Sequence, residues 1–291
     1  MPFHFRKTEL PGRALRRAGR ERIRMALARL RRSRRPAAIH GARKDIKKLR
    51  AIFQLARDEI GGNTFHKATN SLRAAAKRLA VSRDARVMLK AFEKLAGRDA
   101  EKFGVCRAAL EKHARRETRQ FRRNDSAGVA KQFLKRIDRC VKNLKIRPQG
   151  WAAIEPGLRR SYRQGRHAWK TARRRPLPEN FHAWRKQVKC FGYQLRLVCP
   201  DWPGPVRGLT HQLEQLGEML GDDHDLELLK HFVMEEDGDP AGEPAVLRRR
   251  IERRQKELRA RALEIGQDLF AKRPAAVWTR LGGYWNGWRG H

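Results

Sequence analysis

Residues 39–56 read IHGARKDIKKLRAIFQLA. Ile39, Ala42, Ile46, Leu49 and Phe53 recur at steps of three and four, the spacing of one apolar face on an α-helix. Each residue advances about 100° around such a helix. His40, Arg43, Lys47, Arg50 and Gln54 therefore share one sector, flanked by Lys44 and Lys48, roughly opposite the apolar stripe. A single acid, Asp45, interrupts the run, and it points away from the basic sector. Water-facing helix surfaces usually mix signs and gain from opposite charges four residues apart. Five or six like charges on one face cost stability unless an anion neutralises them. The stretch predicts a helix and an anion site together.

The pattern returns 142 residues later, where FHAWRKQVKCF (181–191) faces IHGARKDIKKL (39–49). His40/His182, Arg43/Arg185, Lys44/Lys186 and Lys47/Lys189 are identical, and the apolar positions stay apolar. Arg196 extends the second basic face, whereas Cys190 and Gly192 stand where the first has Lys48 and Arg50. SLRAAAKRLAVSRDARV (71–87) faces QLEQLGEMLGDDHDLEL (212–228), with Leu72/Leu213, Leu79/Leu220 and Asp84/Asp225 identical. Upstream, RRAGRERIR (16–24) faces YRQGRHAWK (162–170). Three blocks in the same order predict an all-α fold of two tandem bundles, residues 1–147 and 148–291, related by an approximate two-fold around one shared basic channel.

No period-2 strand pattern stands out, and turn residues cut the chain into about twelve helices. RPQGW (147–151) reads as the central linker and EEDGDPAGEP (235–244) as an acidic mobile loop.

The 291 residues carry 69 Lys and Arg against 31 Asp and Glu, a net charge of +38, with 40% hydrophobic residues. That is enough apolar content for a core and too much like charge for one compact fold without a polyanionic partner. An enzyme of small neutral metabolites is disfavoured. Apolar runs reach about four residues, as in Trp151–Ile154, far short of the roughly 20 that span a bilayer. The start has no signal-like apolar run, and four cysteines without CxxC spacing read as reduced thiols. The expected location is cytoplasmic, with no membrane partner.

Arginines crowd the flanking helices as well. Arg17, Arg20 and Arg24 in the first half answer to Arg163, Arg166 and Lys170 in the second. Arginine grips phosphate in a bidentate fork, and lysine acts as a mobile point charge. The expected ligand is phosphate-rich and long enough to touch several helices.

These segments, together with RDARVMLKAF and LEQLGEMLGDDHDLELL, resemble the CHAD family, the conserved-histidine α-helical domain. The resemblance runs from about Arg13 onward, and the doubled His-x-x-Arg-Lys-x-x-Lys makes it fairly specific. It implies two pseudo-symmetric helical bundles around a basic channel that binds inorganic polyphosphate, in proteins that associate with polyphosphate granules. It places the family histidines on His40 and His182, with His224 a further candidate. Position 83, aligned with His224, is Arg. Such domains are often fused to a CYTH-type triphosphate-processing domain. None is recognisable here, and the expectation is a stand-alone binder without a cofactor.

Two other readings compete. Charge alone also fits a nonspecific RNA- or DNA-binding protein. The DDHD run at 222–225 fits a metal-dependent phosphohydrolase using His224 and Asp225, although Asp222 or Asp223 reads more simply as a helix N-cap, as does Ser82 in the first repeat. Tryptophans such as Trp169 and Trp184 fall at core spacing rather than as stacking platforms. No GxxxxGK[ST], HExxH or GxSxG motif is present, and the reading is a non-catalytic binding module.

Overall fold

The computed structural model describes residues 3–147, 149–200, 202–235, 242–271 and 274–290. Among the described residues all regular structure is helical, as predicted. The elements are α1 (Pro11–Arg31), α2 (Pro36–Leu55), α3 (Gly62–Arg78), α4 (Val81–Ala96), α5 (Gly104–Arg123), α6 (Ser126–Lys142), α7 (Glu155–Arg174), α8 (Pro178–Val198), α9 (Gly204–Glu235), α10 (Glu243–Phe270) and α11 (Pro274–Arg289). Short 3₁₀ turns at Gly97–Phe103 and Gly150–Ala153 make up the remainder. The second lies in the predicted linker, of which Pro148 is outside the described residues.

The two basic helices start by the same device. Proline opens both α2 and α8, after extended Arg35 and Leu177. Its fixed φ suits the first helical turn, where its missing N–H costs nothing, and it forces the preceding residue out of the helical region. Gly97, at φ +53, ends α4 in a conformation open mainly to glycine. Glu243, at the end of the predicted acidic loop, caps α5 by accepting from the backbone N–H of Val105 and Cys106. Residues 236–241 of that loop lie outside the described residues.

The apolar stripes land where the periodicity puts them. Ile39, Ala42, Ile46, Leu49 and Phe53 are buried, as are Phe181, Trp184, Val188 and Phe191. They join a main core built from α1, α2, α3 and α6 with α7, α8, the first half of α9, the end of α10 and α11. A second core lies under α4 and α5 and takes Leu226, Leu229 and Val233 from the later half of α9, and Leu247, Ile251 and Leu258 from α10. Each core draws on residues from both sides of position 148.

Helices α2 and α8 meet directly. The fully buried Gln194 side chain donates to the backbone oxygen of Ala51 at 3.2 Å. Next to this crossing α7 touches the end of α2, where a Cβ on Gly157 would come within 2.1 Å of the Leu55 carbonyl oxygen. Only glycine permits that approach.

The DDHD run corrects the sequence reading. Asp222 and Asp223 are not N-caps, because α9 runs unbroken through them as one helix of 32 residues. In the first half the corresponding chain is split into α3 and α4 at Leu79–Ala80. Ser82 falls in the first turn of α4, and its side chain lies outside the described residues. No helix among the described residues is long and apolar enough to cross a membrane.

Asp45 explains the lone acid of α2. It is buried and ion-paired to Arg22 at 3.4 Å and to Arg29, both from α1. Removing one partner of a buried pair leaves charge uncompensated and costs about 3–5 kcal/mol. Asp45→Ala should therefore lower unfolding free energy by about 3 kcal/mol in urea titrations. A loss near zero would show that the pair does not hold α1 on α2.

Candidate functional site

The basic faces of α2 and α8 come together, and two further helices close over them. Lys47 on α2 is half-buried, and Arg185, Arg43, Arg83 and Lys189 stand close enough to act on its charge. Arg83 comes from the start of α4. It donates to Asp84 at 3.0 Å and to Asp225 of α9 at 3.4 Å. Arg43 spends one nitrogen on the Ala76 carbonyl at 2.9 Å. His182 of α8 packs on His224 of α9, with ring centroids 4.2 Å apart. His182 Nδ1 and Arg185 Nε are buried without a hydrogen-bond partner among the described residues. Buried polar atoms of this kind are normally satisfied, and two in one cluster point to a ligand or solvent role.

Crowding and burial shift the titrations in one direction. Burial, followed by the neighbouring arginines, brings the Lys47 ammonium down to about 7. Lys48 falls to about 8 by burial and the nearby Arg22. Burial and then the flanking lysine and arginine charges lower His182 to about 4. Burial, then His182 and Arg185, lower His224 to about 3. Both rings are neutral at pH 7. Lys186 and Lys189 are lowered by burial first and then by neighbouring arginines. Asp225 is raised by burial, against the pull of Arg83 and Arg185. Every one of these lysine and histidine shifts disfavours a positive charge, so a bound anion would relieve all of them.

The predicted residues divide into groups. His40, Arg43, Lys44, Lys47, His182, Arg185, Lys186 and Lys189 are brought together, with His40 at the exposed rim. Arg50 couples to Lys186, and Lys48 to Arg196, extending the set along both helices. Lys48 also sits 4.8 Å over the Phe3 ring, and Arg196 is paired with Glu214. Arg17 and Arg166 serve the fold instead. Arg17 binds Glu9, Glu21 and the His4 carbonyl, and Arg166 donates to the Phe270 carbonyl at 2.9 Å. Arg20, Arg24, Arg163 and Lys170 are exposed on α1 and α7.

Two members were missed by sequence reasoning. Arg83 occupies the position aligned with His224, which marked it without revealing its role. Arg73, on α3, acts on Lys186 and Arg50 and had no signal beyond being one more arginine. The DDHD side chains do not converge. Asp222 pairs with Lys94, Asp223 with Arg259 and Gln255, and Asp225 with Arg83, while His224 meets His182. Successive residues of a helix point about 100° apart, so an unbroken α9 spreads them. Among the described residues no group of three or more His, Cys, Asp or Glu is placed to hold a metal ion.

Comparison with known proteins agrees with the architecture. The family model of the CHAD domain matches residues 14–234. The crystal structure of the CHAD domain from the plant Ricinus communis superposes with a TM-score of 0.67 at 16% identity, covering 94% of this chain and 98% of that one. PptA from Streptomyces chartreusis superposes with a TM-score of 0.58 at 17% identity, over 90% of this chain and 98% of that one. At these identities the likeness is one of fold. No curated protein matches the chain.

The buried ammonium has a measurable consequence. Lys47 titrates near 7 in the folded chain and near the ordinary lysine value when unfolded. Its cost to stability is therefore full below pH 7 and relieved as pH rises from 7 towards 10. In phosphate-free buffer Lys47→Met should melt at a higher temperature than wild type at pH 6, and the gap should narrow steadily between pH 7 and pH 10. A gap that is constant or widens with pH would contradict this placement of the amine.

Proposed function

Because the chain belongs to the CHAD domain family, which is linked in general to polyphosphate binding, we propose that it binds inorganic polyphosphate along the basic faces of α2 and α8. The observation that carries the reading is the half-buried set of Arg43, Lys47, Arg83, Arg185 and Lys189, five cations gathered with Asp84 and Asp225 beside Arg83 and Glu214 and Glu218 near Lys189 as acids. A polyphosphate chain has one charge per phosphate and no bases. It needs successive Lys and Arg side chains and no aromatic platform. Trp184 and Trp169 are accordingly packed in the core rather than offered to a ligand. Arg50, Lys186, Lys48 and Arg196 would continue the lane.

The binding is read as non-catalytic, with the protein cytoplasmic and carried to polyphosphate granules by this affinity. The tandem repeat belongs to the same proposal: superposing 13–95 on 159–237 should bring the His40 and His182 helices into equivalent places. Nucleic acid is the alternative partner, favoured by net charge and by exposed cations such as Arg122 and Arg123 on α5. Base-free polyphosphate and RNA therefore make the deciding competition.

Reversing Arg43 with Lys47, or Arg185 with Lys189, to Glu should weaken long-chain polyphosphate binding. It should also flatten the salt slope by roughly 0.7–0.9 for each phosphate left without its cation, as for nucleic acids. Reversing Arg122 with Arg123 should do much less. Equal losses from both classes would mean that net charge alone carries binding. RNA outcompeting polyphosphate at physiological salt would transfer the site to nucleic acid, and phosphate release would reopen the hydrolase reading.

A further inference from the structure

A cavity of about 1080 Å³ adjoins the lysine–arginine cluster at His40 and Arg83 and runs away from the crossing of α2 and α8. It lies between α4 and α10 over the middle of α9 and opens beside the start of α2. Its walls include Ile39, Val87, Leu89, Leu95, Leu226 and Leu258. A bare phosphate polymer gains nothing from such walls. The volume is that of a site for a medium-sized organic ligand.

The charges around it are arranged unequally. At the far end they are neutralised in pairs, Lys94 with Asp222 at 2.6 Å and Arg254 with Glu257 at 2.7 Å. At the end next to α2, Arg86 and Lys90 are exposed and have no acidic partner among the described residues, and His40 and Arg83 adjoin them. Pro36 and Ala37 line this same end, and the α2 N-terminus has no side-chain cap. Pro36 carries no N–H and Ala38 donates to the Arg35 carbonyl at 3.0 Å, so the helix start contributes the Ala37 N–H and the positive end of its dipole. The unpaired cations thus gather at one end, apolar side chains make up about half of the lining, and the acids among the walls are Asp225 on Arg83, Asp222 on Lys94, and Glu93. An acidic amphipathic helix would need unpaired cations along the whole groove, which the paired far end does not offer.

We infer that this cavity binds an alkyl or isoprenoid phosphate, its phosphate head at Arg86, Lys90 and the start of α2 and its aliphatic tail between α4 and α10. The site goes beyond polyphosphate binding and does not depend on it, although the shared Arg83 and His40 make the two ligands neighbours. The chemistry is the same whether the ligand is a free phosphate ester or a membrane lipid with a phosphate head.

The test is calorimetric titration of the full chain with monomeric hexyl, octyl and decyl phosphate, beside inorganic phosphate. One equivalent should bind per chain, tightening up to about fourfold per methylene while the cavity fills. Ala91→Trp projects bulk into the cavity from its wall. It should weaken decyl phosphate at least tenfold and leave polyphosphate binding unchanged. Arg86→Glu with Lys90→Glu should weaken the head group without erasing the dependence on chain length. Thermal melts establish that both variants fold. Flotation with vesicles containing phosphatidic acid distinguishes the sources: co-flotation abolished in Ala91→Trp assigns a membrane lipid, and its absence in wild type assigns a free ester. Decyl phosphate binding no tighter than inorganic phosphate, or equally tightly in wild type and both variants, overturns the inference. Loss of polyphosphate binding with alkyl phosphate binding intact would count against the polyphosphate reading alone.

Discussion

The buried crossing of α2 and α8 is the constraint on which the rest of the molecule depends. The two helices whose basic faces are turned toward each other touch at Ala51 and Gln194. Everything that makes this tolerable is apolar and lies on their opposite faces. The Ile39–Phe53 stripe and the Phe181–Phe191 stripe enter one continuous core, and that core forces the basic faces into proximity. Hydrophobic burial is non-directional and large. It can impose a local electrostatic cost that no pair of surface charges would accept. The depressed lysine and histidine titrations record that cost residue by residue.

Acids are distributed with the same logic. Asp45 and Glu21 sit on the core side of α1 and α2, where they neutralise arginines that pack rather than bind. Asp84 and Asp225 enter the cluster and both lean on Arg83, while Glu214 and Glu218 stand near Lys189. The two aspartates hold that guanidinium at the junction of α4 and α9 and leave Lys47, Arg185 and Lys189 without such pairing. A cluster with no acids would be harder to fold. One with more acids would have little positive field left for a ligand.

Much of this was legible in the sequence because a helix converts spacing into direction. The stripe at steps of three and four identified both buried faces, and the doubled His-x-x-Arg-Lys-x-x-Lys found eight of the gathered side chains. What stayed hidden depended on where helices end and what lies across from them. Asp222 and Asp223 look like caps when read locally, yet α9 continues through them because leucines on either side are buried in two different cores. Arg17 and Arg166 carry the same charge as Arg43 and Arg185. Only their neighbours, Glu9 and the carbonyl of Phe270, turn them to structural work. Arg83 was visible only as a mismatch in the repeat.

The unbroken α9 also bears on how the molecule comes apart. A helix of 32 residues is about 48 Å long. Its first half is anchored in the main core and its second half in the core beneath α4 and α5. Fraying of either core must pull on the same rod, and the chain offers no hinge at Leu220–Gly221 where α3 and α4 have one at Leu79–Ala80. Local openings in this protein should therefore merge into a single cooperative unit, with α9 as the element whose amides exchange only when the whole structure is lost.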